Sequence, residues 1–120
     1  MKLHRWNEIE REQLGPLTAR QVIHSERLTI ARIYLKKGAV VARHHHENEQ
    51  VSYVLEGRLR FEFDTEEVIA GAGEIMQIDS QRPHLVEALE DSLALDVFQP
   101  VREDWLRGDD SYLRNPSGVS

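Results

Sequence analysis

GAVVARHHHENEQVSYVLEG, residues Gly38 to Gly57, sets the terms for the whole chain. Three consecutive histidines, His44 to His46, precede an acid-and-amide run and then an apolar stretch, all framed by two glycines. In an extended segment side chains two apart share a face, so His44 and His46 converge while His45 points away. Imidazole suits Zn, Cu, Fe and Ni, and two such rings supply half of a common metal site. The same spacing also fits a solvated polar loop that binds nothing. Three mid-chain histidines are too few and too central to be a purification tag.

Outward from this stretch the chain reads as short strands broken by turns. From Gln21 onward, strands are expected at Leu28–Leu35, Val51–Leu55, Arg58–Asp64, Glu67–Ala70, Glu74–Ile78, His84–Leu89 and Leu93–Phe98. Lys36-Lys37-Gly38, Glu56-Gly57 and Gly71-Ala72-Gly73 punctuate them. Arg58–Asp64 alternates cleanly, with Leu59, Phe61 and Phe63 on one face and charges on the other. Short strands at such spacing predict an all-β sandwich or barrel. Only the ends read as helical: Trp6–Leu14 weakly, and Val101–Leu106 as one turn after Pro100.

Composition narrows the function classes. At 120 residues the chain is expected to form one domain, residues 1–120, with a barrel over roughly 21–99 and a tail over 100–120. A net charge of −6 argues against nucleic-acid binding, which needs a basic face to neutralise phosphates. No apolar run approaches the ~20 residues of a membrane span, and the start lacks an apolar signal core, so a cytoplasmic protein is expected. There is no cysteine, which removes disulfides, zinc–thiolate sites and thiol catalysis together. Any metal chemistry must use His, Asp, Glu or an amide.

The spacing of the opening stretch then acquires a family. Gly38, five residues, His44-x-His46, three residues, Gln50, six residues and Gly57 resemble the first cupin motif, G-x5-H-x-H-x3–4-E-x6-G. Gly73, five residues, Asp79, Ser80, Gln81, two residues and His84 resemble the second, with Asp79 and Gln81 replacing its Pro and Gly and Ala88 its final Asn. The resemblance implies a cupin double-stranded β-helix (a jelly-roll barrel) holding one divalent metal, Zn, Ni, Fe or Mn, on His44, His46, His84 and position 50. Here position 50 is Gln instead of the usual Glu, a neutral ligand that leaves the ion its full charge. Glu49 is a rival: strand alternation sets it with Val51, Tyr53 and Leu55, which have the look of a core face. Motif spacing favours Gln50. The resemblance also implies a homodimer paired through sheet faces, in which the Val51/Tyr53/Leu55 set is covered. His4, His24 and His45 are expected at the surface or in structural roles.

LALDVFQPVREDWL, Leu93 to Leu106, carries a second constellation. Asp96 and Phe98 share one face, opposite Leu95 and Val97, and Arg102 follows Pro100. One reading pairs Asp96 with an arginine and buries Phe98 in the core. Beside a metal, the same residues become an acid/base, an apolar wall and a clamp for a carboxylate, which arginine's planar fork suits. The run resembles the D-x-F-x-P-x-R-E-D tail of the KdgF-like cupins of pectin degradation, matched by Asp96, Phe98, Pro100, Arg102, Glu103 and Asp104. Their metal set is likewise His-His-Gln-His, although their loop between the second His and the Gln is usually one residue longer. This likeness implies an enzyme opening the ring of unsaturated uronates, with a carboxylated small molecule as substrate, Asp96, Arg102 and Phe98 serving catalysis. The rivals are an Fe(II)-type dioxygenase acting on a small chelating substrate, and a non-catalytic metal-dependent small-molecule binder.

Overall fold

The computed structural model describes residues 1–114. Ten strands carry it: β1 (Glu12–Gln13), β2 (Thr18–His24), β3 (Thr29–Leu35), β4 (Val40–His44), β5 (Glu49–Glu56), β6 (Arg58–Glu62), β7 (Glu67–Gly71), β8 (Ile75–Ile78), β9 (His84–Ala88) and β10 (Ser92–Gln99). They form two antiparallel sheets, one in the order β1-β2-β3-β10-β5-β8 and one in the order β4-β9-β6-β7. This is the expected all-β jelly roll. Short helical turns close the ends: a 3-10 turn at Trp6–Glu8, then α1 (Glu103–Leu106) and α2 (Ser111–Arg114).

Several expected boundaries move. The weak helix read over Trp6–Leu14 shrinks to that 3-10 turn, because Glu12 and Gln13 pair with Arg20 and Ala19 of β2 instead. Sheet pairing there outweighs a polar segment's slight helical preference. The barrel also starts earlier than residue 21, since β2 begins at Thr18 and pairs with β3 along its whole length. The tail beyond residue 100 folds back onto the barrel through α1 and α2, and its last six positions, 115–120, lie outside the described residues.

Alternation explains most of the core. Thr29, Ala31, Ile33 and Leu35 of β3 face inward, as do Leu59 and Phe61 of β6, with Phe63 just beyond the strand. Burying a side chain such as Phe61 or Phe98 contributes roughly 1.5–3 kcal/mol. Gly57 joins β5 to β6 with φ +87°, and a Cβ there would collide with Ser92 and the Asp91 carbonyl, so only glycine fits that turn.

One strand inverts the usual pattern. In β5 the buried residues are Gln50, Ser52 and Val54, while Tyr53 is exposed and Val51 and Leu55 are half-buried. The apolar set thus lies on the outer face of the six-stranded sheet, and polar side chains point between the sheets. No helix among the described residues is long and apolar enough to cross a membrane.

Candidate metal centre

His44, His46 and His84 come together between the two sheets, one ring nitrogen from each lying within 4.8 Å of the others. The convergence of His44 and His46 does not come from strand alternation, as the spacing suggested, because β4 ends at His44. A bulge does the work. Val41 pairs with Val86 and His44 with His84, so β4 carries one extra residue over this span and His44 turns inward. His46 then enters from the following loop, while His45 is exposed, as expected.

Each ring is fixed by its own backbone neighbourhood. His44 Nδ1 donates to the Ala42 carbonyl at 2.8 Å, His46 Nδ1 to the Asn48 carbonyl at 3.0 Å, and His84 Nδ1 to the Arg82 carbonyl at 2.7 Å. A carbonyl only accepts, so each Nδ1 carries the proton and each Nε2 keeps its lone pair. Burial holds the rings neutral: His44 is lowered to about 2, with the His84 ring adding to the effect, and His46 to about 4. His84 is lowered as well, first by burial. Neutral, tautomerically fixed imidazoles are what a metal requires.

Two further observations test the fit of a cation. His84 Nε2 is buried with no hydrogen-bond partner, a costly state for a polar atom without an ion to receive it. His46 Nε2 lies 3.1 Å from Gln50 Oε1, while the Gln50 amide nitrogen donates to Ser52 Oγ at 2.8 Å. With Nδ1 protonated, two acceptors face each other there. A separation of about 3 Å is what two neighbouring ligands of one ion show when each lies about 2.1 Å from it. The donor set fits a divalent metal.

Gln50 is therefore the residue of this strand that faces the cluster; Glu49 is exposed. The periodicity that favoured Glu49 misled because β5 turns its polar face inward. The tail constellation also gathers at this cavity, which is about 40 Å³ in volume and lined by His44, Gln50, Ser52, His84, Asp96 and Phe98 among others. Asp96 pairs with Ser52 across β10 and β5. Its Oδ1 is sealed from solvent without a hydrogen-bond partner, although the residue as a whole is only half-buried. Burial pushes its carboxyl up to about 6, against the pull of the Ser52 hydroxyl and the Arg102 charge.

Arg102 also lines the cavity, but most of its fork is engaged. Nε and Nη2 donate to the two Asp104 oxygens at 3.0 and 2.8 Å, Nη2 also donates to the Tyr112 hydroxyl, and the guanidinium lies 4.6 Å over the Phe98 ring. Its backbone N–H donates to the fully buried Thr29 hydroxyl, which lies 2.8 Å from His24 Nδ1. His24 thus has a structural partner.

Three residues escaped sequence reasoning. Asn48 ties the histidine loop to the Pro100 and Val101 carbonyls. Ser52 receives the Gln50 amide. Tyr112 stacks on His44 with ring centroids 4.1 Å apart and planes 15° from parallel. A polar residue at an inward position of β5 was a signal for Ser52; nothing local marked the other two.

Comparison with known proteins agrees with this fold. The Cupin domain signature matches residues 31–98, more than half of the chain. No curated protein sequence matches it. Among solved structures, KdgF from Halomonas sp. is similar at 29% identity and a TM-score of 0.76, covering 82% of this chain and 94% of that one. An RmlC-like cupin from Shewanella frigidimarina is similar at 27% identity and a TM-score of 0.81, covering 88% and 96%. Oxalate decarboxylase from Bacillus subtilis, solved in a study of its Mn(II) centres, shares the fold at 22% identity and a TM-score of 0.70, covering 84% of this chain and 32% of that one. With both its barrel and its signature those of the family, the chain belongs to the cupins.

Proposed function

We propose that this cupin is a metal-dependent isomerase that opens the ring of unsaturated uronates. The observation that carries the reading is Asp96: a buried carboxylate oxygen without a partner, on the wall of the same small cavity as the orphaned His84 Nε2. A carboxylate kept only for stability would be paired. Likeness to a KdgF structure at 29% identity supports the choice of substrate.

In this reading His44, His46, His84 and Gln50 hold one divalent ion, which when bound supplies Lewis acidity undiminished by any anionic ligand. Ionised above about pH 6, Asp96 takes the proton of the anomeric hydroxyl. The C1 carbonyl forms as the ring C1–O bond breaks, and the proton returns to C4 as the resulting enol becomes a ketone. No proton is consumed overall, so one carboxylate suffices. Phe98 supplies an apolar wall, and Arg102 meets the substrate carboxylate through its charge and through Nη1, which lies outside its bonds to Asp104 and Tyr112. The molecule works as a homodimer joined through the outer face of the six-stranded sheet.

One observation favours the second reading, an Fe(II)-type enzyme acting on a smaller chelating acid: the cavity is only about 40 Å³. Oxygen uptake separates the two. The test of the first is the loss of conjugated ultraviolet absorbance from unsaturated galacturonate, above its spontaneous rate. Metal-loaded wild type is expected to accelerate it, with kcat/KM rising through pH 6 and levelling off above. Asp96→Asn is expected to lower kcat about 100- to 10,000-fold, and Arg102→Ala mainly to raise KM. Wild type no faster than buffer would refute the assignment.

A further inference from the structure

The histidine loop and the segment carrying Arg102 lie far apart in the chain, and the backbone ladder stops just short of joining them. β5 and β10 pair as far as Glu49 with Gln99. The next pair would be Asn48 with Pro100, and a proline has no N–H with which to continue a ladder. Here the Asn48 side chain takes over. Its Nδ2 donates to the Pro100 carbonyl and, at 3.3 Å, to that of Val101. The residue is buried, only 2% exposed.

Both halves of Asn48 are engaged. Its carbonyl accepts from His46 Nδ1 at 3.0 Å, so its backbone orients a candidate ligand while its side chain holds the two residues before Arg102. Arg102 is pinned again by its own N–H, which donates to Thr29 Oγ1 at 2.9 Å, and its side chain lines the cavity with His44 and His84. The other bonds of the histidine loop run to the turn between β8 and β9. Gln81 N–H donates to the His46 carbonyl at 2.7 Å, and the Ser80 hydroxyl to that of Glu47 at 2.6 Å. Among the described residues, Asn48 alone ties residues 45–48 to the tail by hydrogen bonds.

We propose that Asn48 is a positioning residue that fixes Arg102 relative to the metal-bearing loop, so that a carboxylate on the ion lies within the field of the guanidinium. The proposal rests on the metal centre and on Arg102 as the group that meets a carboxylate, and not on which acid is the substrate. An asparagine kept only to satisfy buried carbonyls would add stability and leave anion binding alone. A positioning residue acts on anion binding through Arg102, and its effect disappears when the arginine's charge is gone.

The experiment uses Co(II)-loaded protein, whose visible absorption reports a ligand reaching the ion without turnover. The probe is formate, the smallest carboxylate; its three heavy atoms match a cavity of about 40 Å³, room for about three waters. Asn48→Ala and Arg102→Gln are each expected to weaken formate at least about tenfold, and the double variant no further than Arg102→Gln alone. Ser80→Ala, which removes an anchor of the same loop that does not lead to the tail, is expected to stay close to wild type. Asn48→Ser, polar but too short to reach the Pro100 carbonyl, is expected to match Asn48→Ala and answers the question if that variant folds poorly. Asn48 variants that bind formate like wild type, losses that add in the double variant, or Ser80→Ala as weak as Asn48→Ala overturn the proposal and leave the reading of Arg102 standing. Formate that does not reach the ion in wild type, or that binds Arg102→Gln equally well, overturns that reading and the proposal with it. Wild type that takes up no Co(II) overturns the metal centre and the proposal together.

Discussion

Ser52 shows how much of this site depends on a residue that touches no ion. Its hydroxyl accepts from the Gln50 amide nitrogen, which turns Gln50 Oε1 toward His46. Across the sheet it pairs with Asp96, whose carboxyl it helps to keep ionised. Without the hydroxyl, the Gln50 amide is free to rotate and to present its nitrogen to the cluster, which is no ligand. Ser52→Ala is accordingly expected to weaken metal affinity about 10- to 100-fold, the usual cost of losing a ligand's supporting hydrogen bond. Ser52→Thr, which keeps the hydroxyl, is expected to stay near wild type. Competition with a chelator of known affinity measures both, and an unchanged affinity in Ser52→Ala would show that Gln50 is held by other means or is not a ligand.

At the scale of elements, the turn between β8 and β9 carries an anomaly. Gln81 has φ +64°, where the cupin motif has a glycine, and its N–H donates to the His46 carbonyl at 2.7 Å. A side chain in the left-handed region costs about 1–2 kcal/mol, whereas glycine's extra freedom in the unfolded chain costs about 0.5–1 kcal/mol. The first term is the larger, so Gln81→Gly is expected to stabilise the protein by up to about 1 kcal/mol, read from denaturant unfolding. A loss of stability would mean that the Gln81 side chain contributes more than its backbone costs. The same scale separates what was legible in the sequence from what was not. The alternation of β6 was readable because its burial follows a strict two-residue period, and Asp96 and Phe98 were readable as sharing a face because they stand two apart in one strand. β5 was harder, since the polar residues Gln50 and Ser52 occupy its inner face and mimic an outer one; fixed motif spacing, which follows the backbone and not hydropathy, pointed to Gln50, the residue that lies against His46. The bulge that turns His44 inward and the Tyr112 stacking depend on partners 40 and 68 residues away along the chain, beyond any local pattern.

On the scale of the whole molecule, the two sheets enclose an apolar core with the histidine cluster set into it, and further apolar surface lies on the outside. Tyr53 is 39% exposed and Ile75 62% exposed, and they face each other across β5 and β8 with Leu95 on Tyr53's other side. A second copy covering this face would remove that surface from water, and sedimentation at micromolar concentration is expected to show a dimer that Tyr53→Glu converts to monomer. A monomeric wild type would contradict the pairing without touching the site. The claim on which everything else depends is the metal itself: three neutral imidazoles, an orphaned His84 Nε2 and two acceptors facing each other at 3.1 Å make sense around a cation. Elemental analysis of purified protein tests it most directly. The account predicts about one divalent ion per chain in wild type and none retained by His44→Ala combined with His84→Ala, with the fold intact by circular dichroism. Equal metal content in the two proteins would contradict it.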